Sequence, residues 1–328
     1  MAWRFPRGAA ALDLSPAEAP DQPTHAHPRW ELEDGEPIVD GRLALKRLGG
    51  GSRYEVFLAW DERLFALVVA KLLRPHVVED ARALRELRRE AQVLAQLAHP
   101  ALVRGFGAVL DGPRPHLVLE HVEGPSLGRL VKRYGALSME QLLPLALQLA
   151  SALHYVAAAG HVHLDVKPAN VVMGVPPRLI DLSIARTVED AAALHDAIGT
   201  DGYMAPEQCA PARFPGRVGP PADVFGLGAT LYHAAAGEVP FPRPREARTS
   251  SDPAVRFPQL AARAKPLPSH LPESFRAIVA QTLAPDPADR PTAAEVAAAL
   301  EPLVADVPTR PVIRKRGGLP LARRHRLR

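Results

Sequence analysis

Cysteine is all but missing from this chain: Cys209 is the one thiol in 328 residues. No intramolecular disulfide can form, and a reducing, cytoplasmic setting is the simplest expectation. Aromatic residues are scarce as well, at 5%, so a core must be built chiefly from Leu, Val and Ala. The first residues show no progression of positive charge, apolar run and cleavage site, which gives no expectation of a secretory leader. The longest apolar stretch, Leu142 to Gly160, is interrupted by Pro144, Gln148, Ser151 and His154. Those polar breaks favour a buried helix over a membrane span. A strong net charge is missing too, but the formal +4 is unevenly placed. Residues 1–41 carry three basic and eight acidic side chains, whereas residues 307–328 carry eight basic and none acidic.

What the chain does have is a concentrated polar loop, His161-Val162-His163-Leu164-Asp165-Val166-Lys167-Pro168-Ala169-Asn170. Gly160 closes the apolar run before it, and Pro168 interrupts any new helix. The Asp165 carboxylate can hold a hydroxyl, the Lys167 ammonium can meet phosphoryl oxygens, and the Asn170 carboxamide can ligate Mg²⁺. A second carboxylate, Asp181, follows Arg178-Leu179-Ile180.

In this form, H-x-D-x-K-P-x-N followed by I-D, the sequence resembles the catalytic and metal-binding loops of the eukaryotic-like (Hanks-type) bacterial serine/threonine protein kinases. The resemblance extends over about residues 42–303. A hairpin reads as strand Leu43–Leu48, a glycine run, and a returning strand Glu55–Ala59. Gly49, Gly51 and Val56 fit the family's G-x-G-x-x-G-x-V loop, with Tyr54 in place of the third glycine. Glycines there let backbone N–H groups approach phosphates. The apolar strand Leu67–Leu73 carries one cation, Lys71, near the pattern V-A-I-K, with Val69 where Ala is usual. The helix from about Glu79 to Ala98 has an apolar face (Leu84, Leu87, Ala91, Leu94, Ala98), bordered by Glu90 in the register of Lys71's partner. Leu117–Gly124 resembles a kinase hinge.

The resemblance implies an α+β, two-lobed protein-kinase fold: a small, mostly antiparallel β lobe of five strands with one helix, and a larger, mainly α-helical lobe. The corresponding divisions are the small lobe and hinge over 42–122 and the large lobe over 123–303. Composition adds a mostly flexible extension over 1–41, with docking of Trp30-Glu31-Leu32 and Pro37-Ile38-Val39 on the domain left open, and a basic, disordered tail over 304–328. It implies ATP and Mg²⁺ as cofactors and a Ser/Thr-bearing protein as substrate. Asp165, Lys167, Lys71, Glu90 and Thr200 would be catalytic. Leu48, Gly49, Gly50, Gly51, Val56, Val69, Lys71, Leu119, Glu120, Val122 and Ser126 would hold the nucleotide, and Asn170 and Asp181 the metal. Glu207 would pair with Arg290, and Asp223 would anchor the catalytic loop.

Three departures stand out beside Tyr54. Leu164 occupies the position of the Arg that normally meets an activation-segment phosphate. Ser183 replaces the glycine of D-F-G, and Leu182 its Phe. No Ser, Thr or Tyr lies between Val188 and Ile198. The expectation is a kinase not switched by activation-segment phosphorylation. The rival expectations are a pseudokinase that binds nucleotide without turnover, and an anionic partner, such as nucleic acid or an acidic membrane surface, for the basic tail. Residues 240–272, rich in Pro and Arg, read as an irregular insert.

Overall fold

The computed structural model describes residues 27–304. The expectations for residues 1–26 and 305–328 lie outside the described residues.

Alternating apolar side chains make the small lobe. Strands β1 (Pro37–Val39), β2 (Arg42–Gly50), β3 (Tyr54–Asp61), β4 (Ala66–Leu73), β5 (Gly105–Val109) and β6 (His116–Glu120) form one sheet in the order β1-β2-β3-β4-β6-β5, antiparallel throughout. Strand β3 reads alternately half-buried and buried along its whole length, as period 2 requires. Helix α1 (Ala81–Gln96), capped by the Asp80 side chain on Arg82 N–H, packs Leu87, Val93 and Leu94 against one face of the sheet.

The opposite face corrects the reading of residues 1–41 as a flexible extension. From His27 onward that segment is part of the small lobe, and β1 makes the sheet six-stranded rather than five-stranded. The cause is apolar area. Ile38, Ala44, Phe57, Ala59, Val68, Ala70, Leu72 and Val118 form a second core, which Trp30 and Leu32 help to cover. The Trp30 indole N–H donates to Leu73 O at 2.7 Å, and its backbone N–H donates to Glu55 Oε2 at 2.9 Å. Glu55 is fully buried and also accepts from Arg47 Nε at 2.9 Å. A buried carboxylate needs such donors.

The large lobe follows with α2 (Leu127–Tyr134), α3 (Met139–Ala158), the two-residue strands β7 (His161–Val162), β8 (Val171–Val172), β9 (Arg178–Leu179) and β10 (Arg186–Thr187), and α4 (Val188–Ala192). Then come α5 (Pro206–Cys209), α6 (Pro220–Ala236), α7 (Pro253–Arg256), α8 (Glu273–Thr282) and α9 (Ala293–Val304). Helix α3 is long and apolar enough to cross a membrane by length and composition. Its Leu142, Leu145, Leu149 and Leu153 are instead buried in the main core, where α3 meets α6 and α9. Pairing of β7 with β10 and of β8 with β9 brackets the polar loop of residues 163–170, which fixes its two ends.

Candidate active site

Lys71 sits in β4, between β3 and β6, with its side chain 10% exposed. Its three N–H donors are all engaged: Glu90 Oε1 at 2.8 Å, Glu90 Oε2 at 2.9 Å and Asp181 Oδ1 at 2.8 Å. Burial by itself would lower the Lys71 pKa, but the Asp181 and Glu90 carboxylates outweigh it and hold the ammonium protonated. Burial likewise acts to raise Asp181, and Lys71 overrides it, keeping that carboxyl well below the usual range. One helix of the small lobe, one strand and one loop of the large lobe therefore meet at a single ammonium.

The large lobe contributes a second constellation. Asp223, buried at the start of α6, accepts from His163 N and Leu164 N at 2.7 Å each, so the helix pins the loop backbone. Leu164 is buried at φ 65, a left-handed conformation that is strained for a leucine. Its carbonyl accepts from Gln208 Nε2 at 2.9 Å. That turn aims Asp165 into the cleft. Asp165 Oδ1 accepts the Thr200 hydroxyl at 2.7 Å. Asp165 Oδ2 accepts Lys167 Nζ at 2.7 Å and Asn170 Nδ2 at 3.0 Å. Lys167 Nζ also donates to Thr200 Oγ1 at 2.7 Å, closing a ring of three side chains.

The residues fit a metal–nucleotide complex. Asn170 uses only its Nδ2 in hydrogen bonds, and Asp181 only its Oδ1, so Asn170 Oδ1 and Asp181 Oδ2 keep free lone pairs among the described residues. No group of three or more His, Cys, Asp or Glu side chains able to hold a metal occurs among those residues. A hard cation completed by substrate phosphates suits so sparse a donor set. Asp181 itself stands at φ 67. At the hinge, the Val122 amide and carbonyl make no hydrogen bond among the described residues, which leaves an edge for a planar base. Leu48, Val56 and Val69 lie half-buried on β2, β3 and β4, and Leu119 is buried on β6. Glu120 carries its carboxylate outward to Arg178 and to the Arg104 amide. Ser126 accepts from Arg129 N at 3.3 Å as the cap of α2.

The glycine hairpin is closed more tightly than its spacing suggests. A Cβ on Gly50 would lie 2.3 Å from Tyr54 O, so only glycine fits there. Gly51 N–H donates to that same Tyr54 O at 3.0 Å, and Gly51 O accepts Arg74 Nε at 2.7 Å. Gly51 thus keeps no free amide for phosphate, whereas the Ser52 and Arg53 amides carry no hydrogen bond among the described residues.

Tyr54 places its ring 4.8 Å from Lys71 Nζ. Burial pushes its hydroxyl pKa up to about 12, so the ring acts as a neutral face for the cation. The expected outcome is that Tyr54→Phe binds ATP like the native chain. Tyr54→Leu, lacking a contact worth about 0.5–2 kcal/mol, binds it several-fold more weakly in a direct titration.

This geometry agrees with a comparison by sequence: the protein kinase domain family matches residues 43–300. The chain belongs to the protein kinase family. Serine/threonine-protein kinase PknB of Mycobacterium leprae (strain TN) is 32% identical over 293 residues, covering 85% of this chain and 43% of that protein. PknB of Mycobacterium tuberculosis (strain ATCC 25618 / H37Rv) is 32% identical over 294 residues with the same coverage. PknA of Mycobacterium tuberculosis (strain ATCC 25177 / H37Ra) is 33% identical over 264 residues, or 77% of this chain and 58% of that protein. The chain therefore spans roughly half the length of these curated relatives. The likeness places it among the bacterial Hanks-type serine/threonine kinases, a family that uses ATP and a divalent metal.

Within this kinase domain, sequence reasoning missed Gln259, Arg243 and Arg256, which grip the Thr200–Met204 turn. It also missed Arg74, which ties down the glycine loop. Asp201, a carboxylate between Thr200 and Gly202 that calls for cationic partners, was the available signal for the first group.

Proposed function

We propose that the domain transfers the γ-phosphoryl group of ATP, bound with Mg²⁺, to Ser or Thr hydroxyls of protein substrates in the cytoplasm. The observation that carries this reading is the Thr200 hydroxyl held at 2.7 Å by both Asp165 and Lys167. A side-chain hydroxyl already finds there the acceptor oxygen and the ammonium that an incoming Ser or Thr needs. Asp165 would orient the acceptor and take its proton, and Lys167 would steady the transferring group. Asn170 and Asp181 would hold the metal, which supplies charge neutralisation at the phosphates. Lys71 would meet the α- and β-phosphates. Its three donors are engaged, so Asp181 would have to release one when nucleotide enters. Transfer of labelled phosphate from ATP to a generic basic protein tests the reading, with label expected on Ser and Thr. Thermal stabilisation by ATP without transfer would favour a nucleotide-binding scaffold instead.

We further infer that activation-segment phosphorylation is not the switch. Leu164, buried where an arginine would meet a phosphate, offers no charge, and no Ser, Thr or Tyr lies between Val188 and Ile198 to receive one. The Thr187 hydroxyl accepts from Asp190 N at 3.1 Å, which makes it the cap of α4. Thr187→Ala is expected to keep native turnover. Phosphosite mapping that found a stoichiometric, activating phosphate on Thr187 would overturn the inference.

A further inference from the structure

The Pro- and Arg-rich segment that reads as an irregular insert makes an ordered set of contacts. Phe257 is buried with Met204 and Cys209 in a small core of its own, with Leu260 packed against it. Next to it, Gln259 is 3% exposed, and its Nε2 donates to Asp201 O at 2.7 Å, to Met204 O at 3.0 Å and to Cys209 Sγ at 3.2 Å. One side chain thus brackets both ends of the turn that follows Thr200.

Two arginines grip the same turn from outside. Arg243 Nη2 donates to Asp201 Oδ2 at 2.8 Å. Arg256 donates Nε to Oδ2 and Nη2 to Oδ1, at 3.2 Å each. Arg243 also donates to the Arg256 carbonyl, and the Arg256 guanidinium lies 4.9 Å from the Phe257 ring centroid. Asp201 is therefore chelated by two cations that are themselves cross-braced. Charge-assisted, paired hydrogen bonds of this kind fix direction as well as position. On the inner side, Gln208 Nε2 donates to Leu164 O of the catalytic loop at 2.9 Å and to Ile198 O, just before Thr200, at 3.1 Å. The small cavity between the catalytic loop and α6 is lined by Asp165, Val166, Thr200, Met204, Ala222 and Gly226. What the segment grips is the stretch that carries the Thr200 hydroxyl to Asp165 and Lys167.

We propose that Asp201 and Gln259 are positioning residues: with Arg243 and Arg256 they form a built-in clamp that holds residues 200–204 against the catalytic loop. The clamp does the mechanical work that a phosphate on the preceding segment would otherwise do. Its value for substrate binding rests on the phosphotransfer reading above. Its existence as a local restraint does not.

The test compares the native chain with Asp201→Asn, Asp201→Glu and Gln259→Ala. Hydrogen exchange is followed in peptides covering 198–209 and, as a control, 161–170. Loss of a charge-assisted pair predicts roughly tenfold faster exchange over 198–209 in Asp201→Asn and Gln259→Ala. The catalytic loop should be unchanged, and Asp201→Glu should remain near native. In transfer assays the same two variants should raise KM for an acceptor peptide roughly tenfold while KM for ATP stays put. Unchanged exchange over 198–209 would overturn the clamp, as would an equal acceleration in every peptide. A local acceleration without the KM split would overturn the positioning role. If the native chain transfers no phosphate, the exchange result still decides the clamp, and the failure belongs to the phosphotransfer reading.

Discussion

Asp165→Asn is expected to lower γ-phosphoryl transfer by roughly 10²–10⁴-fold, the usual span for a lost general base, while ATP still binds. The substitution is nearly isosteric, but only one of the two resulting side-chain atoms can accept. Oδ2 now takes both Lys167 and Asn170, and Oδ1 takes Thr200. A carboxamide in either orientation loses part of that set and cannot receive the acceptor's proton. Lys71→Met should be equally inactive for another reason. It leaves Glu90 buried with no counter-charge and frees Asp181 from its anchor. The two variants separate by binding: ATP-dependent thermal stabilisation should survive in Asp165→Asn and fall in Lys71→Met. Equal turnover in native and Asp165→Asn protein would place the chemistry elsewhere.

The largest stability effect should come from a pair far from the nucleotide. Glu207 and Arg290 have side chains with 0% exposure and meet as a fork, Nη1 to Oε1 at 2.6 Å and Nη2 to Oε2 at 2.9 Å. Arg290 also donates to the carbonyls of Pro221, Ala284 and Pro285, and its guanidinium lies 5.0 Å from the Phe225 ring centroid. Removing one partner strands the other charge without water. Arg290→Leu should therefore destabilise the domain by about 3–5 kcal/mol. Replacing both partners together, Glu207→Leu with Arg290→Leu, should cost less than Arg290→Leu alone, because no unpaired charge remains. Urea unfolding with matched m-values reads both numbers. A loss below about 1 kcal/mol for Arg290→Leu would mean that the pair contributes no more than a surface ion pair.

Much of this was legible in the sequence because fixed spacing carries it. Strands β2 and β3 announce themselves as a hairpin about a glycine run, β4 as an apolar run around one cation, and α1 by apolar residues three or four apart. Lys71 with Glu90, Asp165 with Lys167 and Thr200, and Glu207 with Arg290 all come together where the resemblance put them. What escaped did so for physical reasons. Docking of the Trp30 and Ile38 segments stayed open in the sequence, because single apolar residues in an acidic, Pro-rich stretch have no period; the uncovered face of the sheet decides it. Helix α2 is a short run capped by Ser126, too brief for its periodicity to speak. Gln259 resembles any polar loop residue until its Nε2 is seen on three partners. The closure of the glycine loop by Arg74 depends on a contact 23 residues apart, which no local pattern encodes.

The claim beneath these readings is that the phosphotransfer site stands assembled before any phosphate reaches the activation segment. Single-turnover transfer from labelled ATP by phosphatase-treated protein tests it most directly, with residues 183–200 shown by mass spectrometry to be unmodified. The account predicts full-amplitude transfer with no lag. A lag that ends only as Thr187 or Thr200 acquires phosphate would contradict it.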